Sequence, residues 1–254
     1  MIVKQLIEGY PKEKRIARDD GSSKLRIAEM FYDTIQGENI VGVPATFMRM
    51  QGCTLNCVWC DTVEVWRQGN PYSVDELIEM CDDKGLIERW RNGQHLILTG
   101  GSPLIQQKAL VEFIEKIKKN FGFKPFIEIE NECVLMPNDD MLRLVDLWNN
   151  SPKLNNSCNP VVVMYNPTIL KILNNLHNSW FKFVITSEED WEEIKEKFIT
   201  PGLIDRKKII LMPEGVTREE LQQHYDIVVK LTVEENLRMT DRLHVTIWNK
   251  KTGV

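Results

Sequence analysis

The sequence predicts an α/β fold, a partial and incomplete parallel βα barrel of about six strands. Three observations lead there. Short apolar runs alternate with stretches of helical spacing, each run ends in a polar or glycine-rich loop, and no internal repeat or clear linker divides the chain. Eight such units would close a barrel, so about six leave it open. At 254 residues the chain can bury one large core. It is expected to comprise an N-terminal extension over 1–25 and a single domain over 26–254.

The extension is polar from Pro11 to Lys24. Arg26 to Tyr32 alternates as a first strand and runs into the polar loop Thr34-Ile35-Gln36-Gly37-Glu38-Asn39. Pro44 to Met50 is a second strand, delivering a cysteine-rich loop at its carboxyl end, where open α/β folds place their chemistry. Ser73 caps a helix through Met80, with Glu76 in the capping-box position. Leu96-Ile97-Leu98 is a strand followed by Thr99-Gly100-Gly101-Ser102-Pro103, and Leu104 to Lys119 has helical apolar spacing. Phe126 to Ile129 is a strand. Leu142 to Trp148 reads as another, with a helix nearly as good, leading into Ser151-Pro152-Lys153. An asparagine-rich loop spans Leu154 to Asn159. Pro167 to Leu176 is a helix, Phe181 to Ile185 a strand, and Glu188 to Phe198 a helix. Ile209 to Met212 is a strand before Pro213-Glu214-Gly215, Thr217 caps a helix to about Val229, and Arg242 to Trp248 is a closing strand. Parallel strands would bring five polar loops to one rim: Gln36-Gly37-Glu38, the cysteine loop, Thr99-Gly100-Gly101, Ser151-Pro152-Lys153 and Pro213-Glu214-Gly215.

The net charge of −5 offers no global attraction for nucleic acid. No apolar run approaches a membrane span, and Met1 to Arg15 lacks the apolar region of a signal peptide. Six cysteines without an evenly spaced framework suit a reducing, cytoplasmic setting.

The densest chemistry is Cys53-Thr54-Leu55-Asn56-Cys57-Val58-Trp59-Cys60, with spacing C-x3-C-x2-C. Three soft ligands in one loop suit an iron–sulfur cluster, and three cysteines on a four-iron cubane leave one iron for a non-protein ligand. A structural zinc site would need a fourth ligand such as Cys81 or His95. A disulfide would strand one thiol, and a group of inert buried thiols is the plain alternative. Gly100-Gly101 after an apolar strand allows close backbone approach to a ligand, or is a tight βα turn. Cys81, Cys133 and Cys158 are assigned no chemistry.

From about Glu29 onward the chain resembles the radical S-adenosylmethionine (SAM) superfamily and, within it, the 7-carboxy-7-deazaguanine synthase family. The superfamily pattern is met by Cys53, Cys57, Trp59 and Cys60 and by the glycine turn. Phe31 to Glu38, Phe47-Met48-Arg49, Cys60-Asp61-Thr62, Ser151-Pro152-Lys153 and Arg242-Leu243-His244 through Gly253-Val254 are similar to family segments. The resemblance implies a radical SAM barrel and a lyase that converts 6-carboxy-5,6,7,8-tetrahydropterin to 7-carboxy-7-deazaguanine. Hydrogen abstraction, ring contraction and loss of ammonia would serve 7-deazaguanine and queuosine biosynthesis.

By the same resemblance, Cys53, Cys57 and Cys60 hold a 4Fe-4S cluster, and Thr62 ligates Mg2+. Gly101, Ser151, Pro152, Lys153, Met212, Pro213, Glu214 and Gly215 hold SAM. Ile35, Gln36, Gly37, Arg49, Thr99 and the Val254 carboxylate hold the substrate. Arg49 suits that task, since a guanidinium meets a carboxylate bidentately. His244 is a substrate contact, an acid–base group or a structural histidine. An external one-electron reductant such as flavodoxin or ferredoxin is implied, with no nucleic-acid or membrane partner, and a homodimer is the default assembly. One position departs from the pattern. The superfamily turn usually reads Gly-Gly-Glu-Pro, its acid helping to hold the SAM amino group, whereas here it is Gly100-Gly101-Ser102-Pro103. That contact is expected to weaken, to move to backbone oxygens, or to fall to Glu128 or Glu130. The competing readings are a glycyl-radical enzyme activase, which needs a groove for a protein loop, and a catalytically weakened cluster-binding regulatory homologue.

Overall fold

The computed structural model describes residues 24–251 and 253. Most of the expected extension therefore lies outside the described residues. Lys24 and Leu25 already belong to β1 (Lys24–Ile35), and Leu25 is fully buried. After β2 (Pro44–Met50) the cysteine loop leads through the short helix α1 (Val63–Trp66) into β3 (Asn70–Ser73). Then follow α2 (Val74–Asp83), α3 (Leu86–Arg91), β4 (His95–Gly100), α4 (Gln107–Phe121), β5 (Ile127–Asn131) and α5 (Asp139–Leu144). Next come β6 (Leu147–Asn150), α6 (Val161–Met164), α7 (Pro167–Asn175), β7 (Ser179–Ile185) and α8 (Glu188–Ile194), which widens into a π turn over Lys195–Ile199. The chain ends with β8 (Ile209–Pro213), α9 (Arg218–Glu234), β9 (Arg238–Met239) and α10 (Leu243–Trp248).

One sheet of nine strands runs β3-β1-β2-β4-β5-β6-β7-β8-β9. β2 and β4 to β9 are parallel neighbours, and β1 is antiparallel to both β2 and β3. Six parallel strands, β2 and β4 to β8, match the expected count; the sheet grows to nine because β1 adds to them antiparallel and because β3 and the two-residue β9 carry no strand signal. β3 contains Pro71, which is tolerated because the strand sits at an edge.

Leu142–Trp148 divides into the end of α5 and the start of β6. The Asn138 side chain accepts from Met141 N at 2.8 Å and starts the helix, and Asp146 Oδ2 accepts from Ile127 N at 2.8 Å and sets β6 beside β5. The closing segment is a helix, not a strand. Asp241 turns the chain there by accepting from Arg242 N at 2.7 Å and from Thr246 Oγ1 at 2.5 Å, and β9 has already ended the sheet. The expected capping box at Ser73 and Glu76 is present, worth about 1 kcal/mol.

Strand alternation separates the two faces. Ile127 and Ile129 of β5, Met48 and Met50 of β2, and Phe181 and Phe183 of β7 pack under the helices. Their neighbours Glu128, Glu130, Phe47, Arg49 and Lys182 point to the concave side. Two contacts across that side show the sheet curling into an open barrel. Gln36 Nε2 donates to Glu128 Oε2 at 2.9 Å, three strands away, and Lys182 on β7 pairs with Glu38 just after β1.

Candidate active site

The concave face encloses a cavity of about 450 Å³. Of the residues singled out in the sequence, Ile35, Gln36, Gly37, Arg49, Cys60, Thr62, Gly101, Ser151, Lys153, Met212 and His244 line it. Cys53, Cys57, Thr99, Pro152, Pro213, Glu214 and Gly215 are not among the lining residues, and Val254 lies outside the described residues. The five loops do not share one rim. Since β1 runs against β2, with Ile35 opposite Pro44, the Gln36–Glu38 loop enters from the amino-terminal end of the parallel strands and closes the opposite end of the cavity. It is held there by Glu128 and Lys182 and by Thr240 Oγ1, which donates to Gly37 O at 3.0 Å.

The cysteine loop is seated by its neighbours. A Cβ on Gly101 would lie 2.2 Å from Gly52 O and 2.4 Å from Cys53 Cβ, so the first demand on this glycine comes from the protein itself. From the other side, Val58 N donates to Ser157 O at 3.2 Å, Asn56 N to Asn159 Oδ1 at 2.8 Å, and Trp59 Nε1 to Asn156 Oδ1 at 3.3 Å. The asparagine-rich loop is thus a clasp. All three thiols are free and half-buried, and each has a polar neighbour: Ser102 Oγ at 3.7 Å from Cys53, Asn159 Nδ2 at 3.2 Å from Cys57, and Thr62 Oγ1 at 3.9 Å from Cys60. Thr62 begins α1 without a side-chain cap, leaving its hydroxyl available to the cavity.

Burial pushes the Cys53 thiol up to about 11 and also raises Cys57. In metal-free protein at pH 8 Cys53 is therefore protonated. Its alkylation by iodoacetamide is expected to accelerate about tenfold per pH unit as pH rises toward that value. Peptide mass spectrometry at successive pH values measures this, and a flat profile above pH 8.5 would contradict it.

Charged groups dominate the interior. Arg49 Nε donates to Glu29 Oε1 at 2.9 Å, and Glu29 is only 1% exposed. Thr99 Oγ1 donates to Glu130 Oε2 at 2.5 Å. Burial, with Glu38 nearby, raises the Glu130 pKa. Glu128 is occupied by Gln36, by Asn149 Nδ2 at 2.8 Å and by His95 Nδ1 at 2.7 Å. Phe31 and Phe47 stack at 5.0 Å with rings 2° apart on the cavity wall. Lys153 Nζ donates to Ser151 O at 2.6 Å and Ser151 Oγ at 2.8 Å, and lies 5.7 Å from the Trp59 ring.

The segment before and within α10 ties the end of the chain to the cysteine loop. Arg242 pairs with Asp61, and His244 Nε2 lies 3.7 Å from the same carboxylate. Burial pushes the Asp61 pKa up, but Arg242, then His244 and Arg49, outweigh this and hold it well below the usual carboxylate range.

Sequence reasoning assigned no site role to Glu29, Asn159, Arg242 or Glu132. For Glu132 there was a signal. Glu128, Glu130 and Glu132 stand at every second position beside Ile127 and Ile129, a polar face on a strand buried on both sides. The other three partnerships join residues far apart in sequence, and no local pattern announces them.

The chain belongs to the radical SAM superfamily, whose sequence profile it matches over residues 48–228. It is 30% identical over 233 residues to the 7-carboxy-7-deazaguanine synthase of Pyrobaculum aerophilum, covering 91% of this chain and 97% of that one. The Halobacterium salinarum synthase is 29% identical over 89% of this chain and 91% of its own. Among solved structures, QueE from Escherichia coli shares the fold with a TM-score of 0.64 at 22% identity, over 87% of this chain and 95% of that one. Within the superfamily the chain is a member of the 7-carboxy-7-deazaguanine synthase family.

Superfamily membership brings a 4Fe-4S cluster and SAM as cofactors. The cysteine loop fits a cluster better than a single ion. Among the described residues no three His, Cys, Asp or Glu side chains converge closely enough to hold one metal atom. Cubane ligands need not converge, since each binds a different iron, and donors beside all three sulfurs match the hydrogen bonding that tunes such clusters.

Proposed function

We propose that the chain converts 6-carboxy-5,6,7,8-tetrahydropterin to 7-carboxy-7-deazaguanine with release of ammonia, as a carbon–nitrogen lyase. One observation carries the choice of substrate class. A single cavity combines the stacked pair Phe31 and Phe47, the fixed guanidinium of Arg49 and the buried carboxylate of Glu130 with Cys60 of the cysteine loop. A flat apolar wall suits a planar bicyclic ring, a guanidinium suits its carboxylate, and a buried acid suits ring N–H groups. At about 450 Å³ the space has the size of a small-molecule site. A glycyl-radical activase would instead need a groove for a protein loop.

In this reading Cys53, Cys57 and Cys60 hold the cluster. Gly101, Ser151, Pro152, Lys153 and Met212 to Gly215 hold SAM. Ile35, Gln36, Gly37, Arg49 and Thr99 hold the substrate, Thr99 acting by fixing Glu130. When bound there, the cluster and SAM would supply the one-electron chemistry for hydrogen abstraction from the substrate. The protein's own work is positional. Glu29 fixes the Arg49 guanidinium, and the Arg242–Asp61 pair keeps α10 against the cysteine loop. The Thr62 hydroxyl would hold Mg2+, which keeps most of its shell as water and substrate oxygen. The domain would run from about residue 26 to 254 behind an extension. Its electron would come from a flavodoxin or ferredoxin, its assembly would be a homodimer, and its place the cytoplasm. No helix among the described residues is long and apolar enough to cross a membrane.

Anaerobically reconstituted protein given SAM, reductant and carboxytetrahydropterin is expected to release ammonia and carboxydeazaguanine. Deoxyadenosine without the base product would reject this substrate.

Removing the Asn159 amide should act on the cluster as well as release one hydrogen bond of the clasp. An N–H donor to Cys57 sulfur favours the reduced, more negative state. Asn159→Ala is therefore expected to lower the midpoint potential. A hydrogen bond worth about 1 kcal/mol corresponds to ~40 mV for one electron. Redox titration followed by electron paramagnetic resonance would measure the shift, and an unchanged potential would assign Asn159 to clasping the loop alone.

A further inference from the structure

The acid expected beside Gly101 is Ser102, and the structure places another carboxylate against that serine. Glu132, just past β5, is 5% exposed and lines the cavity. Its Oε1 accepts from Thr54 Oγ1 at 2.9 Å, and the backbone N of Thr54 donates to Ser102 Oγ at 3.0 Å. Ser102 Oγ in turn lies 3.7 Å from Cys53 Sγ. The carboxylate is thus tethered to the first cysteine through two hydroxyl residues. Its other oxygen, Oε2, is buried and has no hydrogen-bond partner among the described residues. Glu132 forms no ion pair among the described residues, and the Lys153 charge acts on it only from beyond ion-pair distance. A buried acceptor left unmatched costs stability, and such groups persist where a ligand completes them.

We propose that Glu132 receives the α-ammonium of SAM, the acid having moved from the turn after β4 to the end of the neighbouring strand β5. SAM carries a sulfonium, a carboxylate and an ammonium. A carboxylate repels the second, the first has no hydrogen to donate, and only the third offers both charge and N–H donors. Ser102 then has a positive role, since it accepts from the Thr54 amide while the Thr54 hydroxyl holds Glu132. Glu128 and Glu130, the compensating acids expected from sequence, are engaged elsewhere, by Gln36, His95 and Asn149 and by Thr99.

This inference rests on the radical SAM reading, so the test separates the two. Cluster-loaded, unreduced protein is titrated anaerobically by calorimetry with SAM and with an analogue in which hydrogen replaces the α-amino group. Glu132→Gln is expected to weaken SAM about ten- to hundredfold while changing the analogue by less than about twofold. Glu132→Asp should fall between. Retained analogue binding and iron content show that the variant is folded. Equal SAM affinity in Glu132→Gln and wild type overturns the proposal, as does a parallel loss of SAM and analogue. If cluster-loaded wild type fails to bind SAM, the radical SAM reading fails first and this assignment with it.

Discussion

A Cys57→Ala chain is expected to leave anaerobic reconstitution without the broad visible absorbance of a cubane and without measurable SAM cleavage, while its far-ultraviolet spectrum stays that of the parent. The separation follows from where Cys57 sits. It is half-buried in a loop that, apart from the Asn159 Nδ2 contact to its sulfur, is held from both sides by backbone and asparagine hydrogen bonds that do not use that sulfur. The core under the helices is built from other residues. Losing one thiolate therefore removes a cluster ligand without opening a cavity in the core. Cys53→Ala and Cys60→Ala should behave alike, whereas Cys158→Ala, at an exposed position, should retain activity. Full turnover in any of the three loop variants would end the radical SAM reading.

The second large effect is at Arg49. Arg49→Ala is expected to abolish substrate binding and to lower stability by about 1 to 2 kcal/mol, because it removes a charged hydrogen-bond partner of Glu29, which is 1% exposed. The two losses can be told apart. Replacing both partners with apolar residues, Glu29→Met with Arg49→Met, removes the buried charge along with its partner. Such a pair should recover part of the stability but none of the pterin binding. Urea denaturation and calorimetric titration with the pterin would measure them separately. Recovery of substrate binding in the double variant would remove Arg49 from the substrate site.

Much of this molecule is legible locally. The second strand, the Ser73 capping box, the three-cysteine loop and the glycine turn are properties of neighbouring residues, and the structure contains each of them. Sequence pattern and structure part where local alternation and tertiary position disagree. Leu243, Val245 and Ile247 alternate as in a strand, but the chain turns at Asp241, which accepts from Arg242 N, and the segment forms α10 against the cysteine loop instead. Parallel strands throughout would bring the five loops to one rim. A reversed β1 sends Gln36–Glu38 to the opposite end, and strand direction is not encoded in a strand's own alternation.

By itself the sequence determined the βα alternation, the cluster-binding spacing and the family resemblance, since these depend on residue identity within a few positions along the chain. Only the tertiary structure decided which side chains meet: Arg49 with Glu29, Asn159 with Cys57, Arg242 with Asp61, and Glu132 with Thr54. Those partners are 20 to 181 residues apart. Their pairing depends on strand order and on the curl of the sheet, which arise from burying the whole core at once.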